Sequence, residues 1–186
     1  TGQVRWFKRP TPGMTYLTSL DPSMGTGGDY AAIQVFELPT FEQVAEWHHN
    51  MTPMNQQVRI LQQINKHIHD TIMEKDSSAT PQVFYSMENN AIGEAALLRV
   101  MDIGEENIFG MFLSEPIRKG HRRKFRRGFN TTAKHKIDAC TKFKELVEND
   151  KMKLNSQLLI SEMKDFVASG MSFKAKPGQH DDLVSS

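Results

Sequence analysis

The sequence predicts an α/β fold, a central mixed β-sheet flanked by helices. Three observations carry this. Residues 14–20 and 30–38 are apolar, β-rich runs separated by a glycine-rich turn, so they pair as adjacent strands. After residue 53 the period of the apolar residues changes from that of a strand to that of a helix. From there helical and strand-like stretches alternate, which gives a sheet with both antiparallel and parallel neighbours.

Each element has its own signal. FEQVAEWHH, residues 41–49, reads as a third strand, with Phe41, Val44 and Trp47 in imperfect alternation. Val58, Leu61, Ile64, Ile68 and Ile72 form one apolar stripe and predict a helix over 54–74. SSATP ends it, and PQVFYSME, 81–88, has the make-up of a buried strand. A helix over 91–103 and a strand over 107–113 follow. The polar stretch 115–130 reads as a loop. Thr131 or Thr132 then caps a helix reaching about residue 149, with Ile137, Cys140, Phe143, Leu146 and Val147 facing inward. MKLN is a short extended connector, and Ser156 opens another helix over 156–168. MSFKAK is a last strand and HDDLVSS starts a final helix.

At 186 residues, 38% hydrophobic and 24% charged, the chain has the length and apolar content of one globular domain. The single cysteine, Cys140, excludes an intrachain disulfide and points to a reducing compartment. Its place on a helix favours a small core residue over a nucleophile. No apolar run approaches the roughly 18 residues that cross a bilayer. The opening TGQVRWFKRPTPG reads as a tether over 1–12, leading into a domain over 13–186.

Three acidic groups fall at the ends of these elements. Asp21 closes the first strand, Glu88 closes PQVFYSME, and Asp181 and Asp182 stand at the start of the last helix. Strand ends and helix starts converge at one edge of an open α/β sheet. Gathered carboxylates repel one another and are costly to bury, so a cation is their natural partner. Oxygen donors favour hard ions such as Mg²⁺ or Mn²⁺. A pair of such ions about 3.5–4 Å apart activates a water and stabilises the leaving oxygen of a phosphodiester. Each acid also has a plainer alternative. Asp21 suits a turn before Pro22, Glu88 a helix cap or solvent, and Asp181 and Asp182 a helix N-terminus. Asp29, in GGD, is good turn chemistry that also suits a supporting position.

Other motifs fail. GTGGD lacks the GK[ST] of a phosphate loop and no helix follows it. A dinucleotide fingerprint fails because YAAIQVFEL looks like a strand. The seven histidines lack a zinc-like pattern. His180 stands apart, since it directly precedes the two acids and is placed to orient one of them or a substrate phosphate.

RKGHRRKFRR, 118–127, carries seven Lys or Arg in ten residues, against a net charge of +1 for the whole chain. A solvated loop is the common explanation of such a run. Beside a carboxylate set suited to phosphate chemistry, it favours contacts to a nucleic-acid backbone. Arg118, Lys119, Arg122, Arg123, Lys124, Arg126 and Arg127 belong to this patch, and Lys134 and Lys136 continue it.

In order, LTSLDPSMGTGGDYAAIQVFEL, VFYSMENNAIGEAALLRV, the GFNTT…F block and GMSFKAKPGQHDDLVSS resemble the C-terminal nuclease domain of the large terminase subunit of tailed phages. Myovirus-type terminases are the nearest in pattern. The resemblance runs over roughly 13–186 and rests on the ordered set of motifs. It implies an RNase H-like fold related to junction resolvases. It also implies a metal-dependent endonuclease that cuts concatemeric double-stranded DNA when packaging starts and when the head is full. Asp21, Glu88 and Asp182 would be the catalytic, metal-binding triad, holding Mg²⁺ or Mn²⁺ as two ions. Asp181 and Asp29 would support them.

The basic loop, Arg126 and Arg127 foremost, and Lys134 would lie beside the DNA. The expected partners are double-stranded DNA, the packaging ATPase domain of the same protein, the portal and the small terminase subunit, with no membrane. The expected setting is the cytoplasm of the infected bacterium, at the procapsid portal. No Walker A sequence occurs, so the chain would be the nuclease part, and the family domain has a further helical stretch beyond residue 186. Two rivals remain open at this stage: a junction resolvase on the same fold, and a DNA-binding or docking module that does not cut.

Overall fold

In the computed structural model, the described residues are 2–88, 91–113, 149 and 155. They form the strands β1 (Arg5–Trp6), β2 (Thr15–Asp21), β3 (Ala31–Leu38), β4 (Glu42–His49), β5 (Gln82–Met87) and β6 (Met111–Phe112). The helices are α1 (Met54–Lys75) and α2 (Ala91–Ile103), with a 3₁₀ turn over Glu105–Asn107.

One sheet contains all six strands, in the order β1-β4-β3-β2-β5-β6. The strands β2, β3 and β4 make an antiparallel meander, while β5 runs parallel to β2 and β6 parallel to β5. The C-terminal ends of β2, β4 and β5 therefore share one edge of the sheet.

Paired residues in neighbouring strands point to the same face, so the register separates the two faces. Tyr16, Leu20, Ile33, Val35, Ala45, Trp47, Val83, Tyr85 and Met87 share one face and are all buried. Against them α1 lays the stripe Val58, Leu61, Ile64, Ile68 and Ile72, and α2 adds Ala96 and Val100. Burying such aliphatic and aromatic side chains contributes about 1.5–3 kcal/mol each.

The opposite face mixes apolar residues such as Leu17, Phe36 and Phe84 with one polar row that crosses five strands. Ser86, Ser19, Gln34, Glu46 and Arg5 lie in register on β5, β2, β3, β4 and β1.

The meander, the helix over 54–74 and the strand over 81–88 form where the sequence places them. Two elements differ. Residues 1–12, read as a tether, contribute β1, which pairs with β4 through Arg5 and Trp6. Phe7 N–H donates to the Val44 carbonyl at 2.8 Å, and Lys8 reaches the fully buried Glu37 at 2.7 Å. A two-residue strand held by such contacts has no periodicity of its own to detect. The strand expected over 107–113 is shorter, because the 3₁₀ turn takes residue 107. Gly110 then turns the chain with φ +109°, where a Cβ would come within 2.6 Å of the Val83 carbonyl oxygen.

The elements expected after residue 114 lie outside the described residues, apart from the single positions Asn149 and Asn155. Asn155 packs on the sheet. Its backbone N–H donates to Gln43 Oε1 at 3.0 Å and its side-chain amide to the Gln43 carbonyl at 2.8 Å, docking it on β4.

Candidate metal centre at the sheet edge

Asp21 is the last residue of β2, and Glu88 follows directly on β5. The parallel register pairs Leu20 with Met87. Glu88 N–H donates to the Leu20 carbonyl at 3.0 Å, carrying the ladder one step further. Asp21 and Glu88 thus stand side by side on adjacent strands, with backbones about 4.8 Å apart. Both point to the face opposite the core, away from the core residues Leu20 and Met87. Asp21 is 8% exposed and Glu88 is half-buried.

The chain leaving Asp21 is fixed from behind by Gln57. This side chain is fully buried on the first turn of α1. Its amide donates to the Ser23 carbonyl at 2.9 Å and the Thr52 carbonyl at 2.7 Å, and its oxygen accepts from Ser23 N–H at 3.2 Å. The glycine-rich turn is clamped to the loop after β4 as well. Gly27 N–H donates to the Asn50 carbonyl at 2.9 Å, and the Asn50 amide returns a bond to the Gly27 carbonyl at 3.1 Å. Gly25 has φ +70°, and a Cβ there would lie on the Thr52 carbonyl. Glycine is needed here because two backbone segments touch.

The edge continues past Asp21. Asp21 pairs with Ala32, and Ala32 with His48, so Glu88, Asp21, Ala32 and His48 form one row across four strands on one face. The Tyr30 ring stacks on His48 with centroids 4.1 Å apart and planes 5° apart.

Of the acids expected at the site, the fold brings Asp21 and Glu88 together. Asp29 sits exposed in the turn before β3. Asp181, Asp182, His180, Lys134 and the basic loop 118–127 lie outside the described residues. Among the described residues no three His, Cys, Asp or Glu side chains are gathered to hold a metal ion. The donor pair nevertheless fits a hard divalent cation, since two neighbouring carboxylates supply oxygen ligands and repel without a positive charge between them.

Sequence reasoning missed Gln57, Tyr30 and His48. Gln57 had a signal, as a polar residue in phase with the apolar stripe of α1. Tyr30 and His48 had none, because only the three-strand register aligns them with Asp21. A separate groove of about 700 Å³ lies between α1 and α2 and contains Arg59, Lys66 and Arg99 but neither carboxylate. Among the described residues no helix is long and apolar enough to cross a membrane.

Comparison with known proteins agrees with this fold. The large terminase nuclease from thermophilic phage G20c, with bound magnesium, superposes with a TM-score of 0.69 at 17% identity, over 100% of this chain and 85% of that one. The large terminase nuclease domain of Thermus phage P74-26 gives 0.66 at 17% identity, over 100% and 83%. The human cytomegalovirus terminase nuclease domain, soaked with Mn and inhibitor-bound, gives 0.57 at 13% identity, over 92% and 78%. At these identities the likeness establishes the RNase H-like fold. Residues 18–186 match the family described as the terminase RNaseH-like domain. That match spans most of the chain, and the chain belongs to this family, the nuclease domain of the large terminase subunit.

Proposed function

We propose that this terminase nuclease domain is a metal-dependent endonuclease that hydrolyses phosphodiester bonds of double-stranded DNA, with Asp21, Glu88 and Asp182 as its metal-binding catalytic residues. The observation that carries the reading is the side-by-side placement of Asp21 and Glu88 at the ends of parallel β2 and β5.

Bound Mg²⁺ or Mn²⁺ would supply an activated water for in-line attack and positive charge for the departing 3′ oxygen. The chain's own contribution is position. Asp21 ends the β2 ladder, and Gln57 hydrogen-bonds the segment that leaves it. Glu88 closes β5 just ahead of α2 and presents the second carboxylate on the same face. Asp182 would complete the set, with Asp181 and Asp29 as supporting acids and His180 orienting them. Magnesium in the G20c nuclease and manganese in the cytomegalovirus domain support the choice of ions.

The basic stretch from Arg118 to Arg127, with Lys134, would neutralise DNA phosphates beside the site without reading sequence. In the packaging machine the domain would act with its ATPase domain, the portal and the small terminase subunit. It would work in the cytoplasm of the infected bacterium and cut at the start and end of packaging.

Incubating the purified protein with supercoiled plasmid and Mg²⁺, Mn²⁺ or EDTA tests the reading. Nicking and linearisation should require metal. Asp21→Ala and Asp182→Ala should each lose at least about 100-fold, the upper end of what removing even a supporting residue costs a metal site. Cutting that survives in Asp21→Ala, or in EDTA, would overturn it.

A further inference from the structure

Two methionines stand in solvent beside the carboxylate edge. Met24, three residues beyond Asp21, is 64% exposed, and Met51, two residues beyond the end of β4, is 61% exposed. The segments that carry them touch. A Cβ on Gly25, next to Met24, would lie on the carbonyl of Thr52, next to Met51, and a Cβ on Gly27 would meet the Met51 sulfur at 3.0 Å. Hydrogen bonds brace this contact from both sides. Gly27 and Asn50 exchange two of them, and Gln57 bonds Ser23 and Thr52 at once. Met51 N–H donates to His49 Nδ1 at 3.2 Å, and the Thr52 hydroxyl lies 2.7 Å from the same nitrogen.

These segments do not have the chemistry of a phosphate grip. From Pro22 to Tyr30 and from Asn50 to Pro53 there is no lysine or arginine, and the one charged residue is the acid Asp29. What they offer is a pair of apolar tips on braced loops. Methionine is unbranched and polarisable, and apolar side chains of this kind insert between base steps in the minor groove, where they unstack the bases and kink the duplex. Three residues of chain span at most about 10 Å and a base step rises about 3.4 Å, so Met24 lies within about three steps of a phosphate held at Asp21.

We propose that Met24 and Met51 form an apolar wedge that enters the minor groove of duplex DNA beside the scissile phosphate and opens one base step. The kink lowers the backbone onto the Asp21–Glu88 edge. The wedge responds to how easily a step deforms and not to base identity. Flexible pyrimidine–purine steps such as TA admit it, and stiff A-tracts resist it. This inference rests on the reading of that edge as the DNA-cutting site.

Two measurements on the full chain test it, with thermal unfolding of every variant checked. The first is duplex binding in EDTA, followed by the fluorescence of 2-aminopurine placed at successive positions, which rises when the base unstacks. Asp21→Ala, which does not cut, is compared with the same variant carrying Met24→Ala and Met51→Ala, or Met101→Ala. Met101 is 71% exposed but stands about 15 Å along α2 from its first residue, so it controls for the loss of any exposed methionine. Asp21→Ala should raise the fluorescence several-fold at one position, and adding Met101→Ala should leave that rise intact. Adding Met24→Ala and Met51→Ala should abolish it and weaken binding about tenfold, the burial of two side chains less the cost of unstacking. The second is Mn²⁺-dependent cutting of duplexes with a TA step or an A-tract at the same place. The wild type should favour the TA duplex in kcat/KM by about tenfold, and Met24→Ala/Met51→Ala should lose that preference.

An equal 2-aminopurine rise with and without the two methionines, or no rise in a bound duplex, would overturn the wedge. Cutting that is lost in Asp21→Ala but unchanged in rate and preference in Met24→Ala/Met51→Ala would also overturn it, while leaving the metal centre standing. Metal-independent cutting, or failure to bind duplex at all, would defeat the reading of the edge and the wedge with it.

Discussion

Glu88 N–H donates to the carbonyl of Leu20 at 3.0 Å, and through that bond Asp21 and Glu88 are neighbours across two parallel strands. The ladder that builds the core on one face of the sheet therefore sets the carboxylates on the other. Leu20 and Met87 face α1, while Asp21 and Glu88 face away from it. The site and the core thus share one backbone ladder.

Gln57 is the tie between that backbone and the helix. Gln57→Ala would leave Ser23 N–H, the Ser23 carbonyl and the Thr52 carbonyl without their partner. Unsatisfied buried groups of this kind cost about 1–3 kcal/mol each, partly relieved by water, so a loss of about 2–4 kcal/mol is expected. Urea unfolding measures it. Cutting by the folded fraction should fall too, since the segment leaving Asp21 loses its anchor.

Gly25→Ala should be costly for a different reason. The backbone there has φ +70°, and the new methyl would collide with the Thr52 carbonyl, which is main chain and cannot rotate away. A destabilisation of at least about 2 kcal/mol is expected. Gly28→Ala is the control, because a Cβ at that position meets nothing within 4 Å. Thermal unfolding of the two variants should differ clearly.

The buried Glu37 makes the domain sensitive to alkali. Its carboxylate accepts from Lys8 at 2.7 Å and from the Tyr16 hydroxyl at 2.8 Å. The hydrogen bond to Glu37, with Glu42 adding to it, raises the Lys8 ammonium above its ordinary value of 10.5. Burial raises the Tyr16 hydroxyl above its ordinary 10.0. Both groups are thus favoured in their protonated forms by folding. Their contribution is complete below about pH 10 and is lost as pH climbs through the raised values. Urea midpoints from pH 7 to 11 should hold level and then fall, and Tyr16→Phe should flatten the alkaline limb.

The basic stretch predicts a salt signature. Arg126→Ala and Arg127→Ala should each weaken duplex binding evenly across sequences, lowering the slope of log affinity against log salt by about 1. Binding titrations from low to moderate salt measure this. A change confined to particular sequences would contradict backbone contact.

What the sequence revealed and what it hid follow from the range of the interactions. The strands around the glycine-rich turn and α1 were legible because their apolar residues repeat at short, regular spacing. Asp21 and Glu88 were legible because each is the acid that ends such a run, so its position at a sheet edge follows from the strand itself. Arg5 and Trp6 were not, since a two-residue strand has no period and exists only through β4. His48 was hidden for a related reason. Its alignment with Asp21 depends on two successive strand pairings and on a register shift between Val35 and Phe36, which local pattern does not encode. Gln57 was half-visible, as a polar residue on an apolar stripe whose partner Ser23 lies 34 residues earlier in the chain.

The central claim is that Asp21 and Glu88 belong to one metal centre. Calorimetric titration of Mn²⁺ into the wild type, Asp21→Ala and Glu88→Ala tests it most directly. The account predicts saturable binding by the wild type and its loss, or at least about tenfold weakening, in each single variant. Equal Mn²⁺ affinity in the wild type and both variants would contradict it.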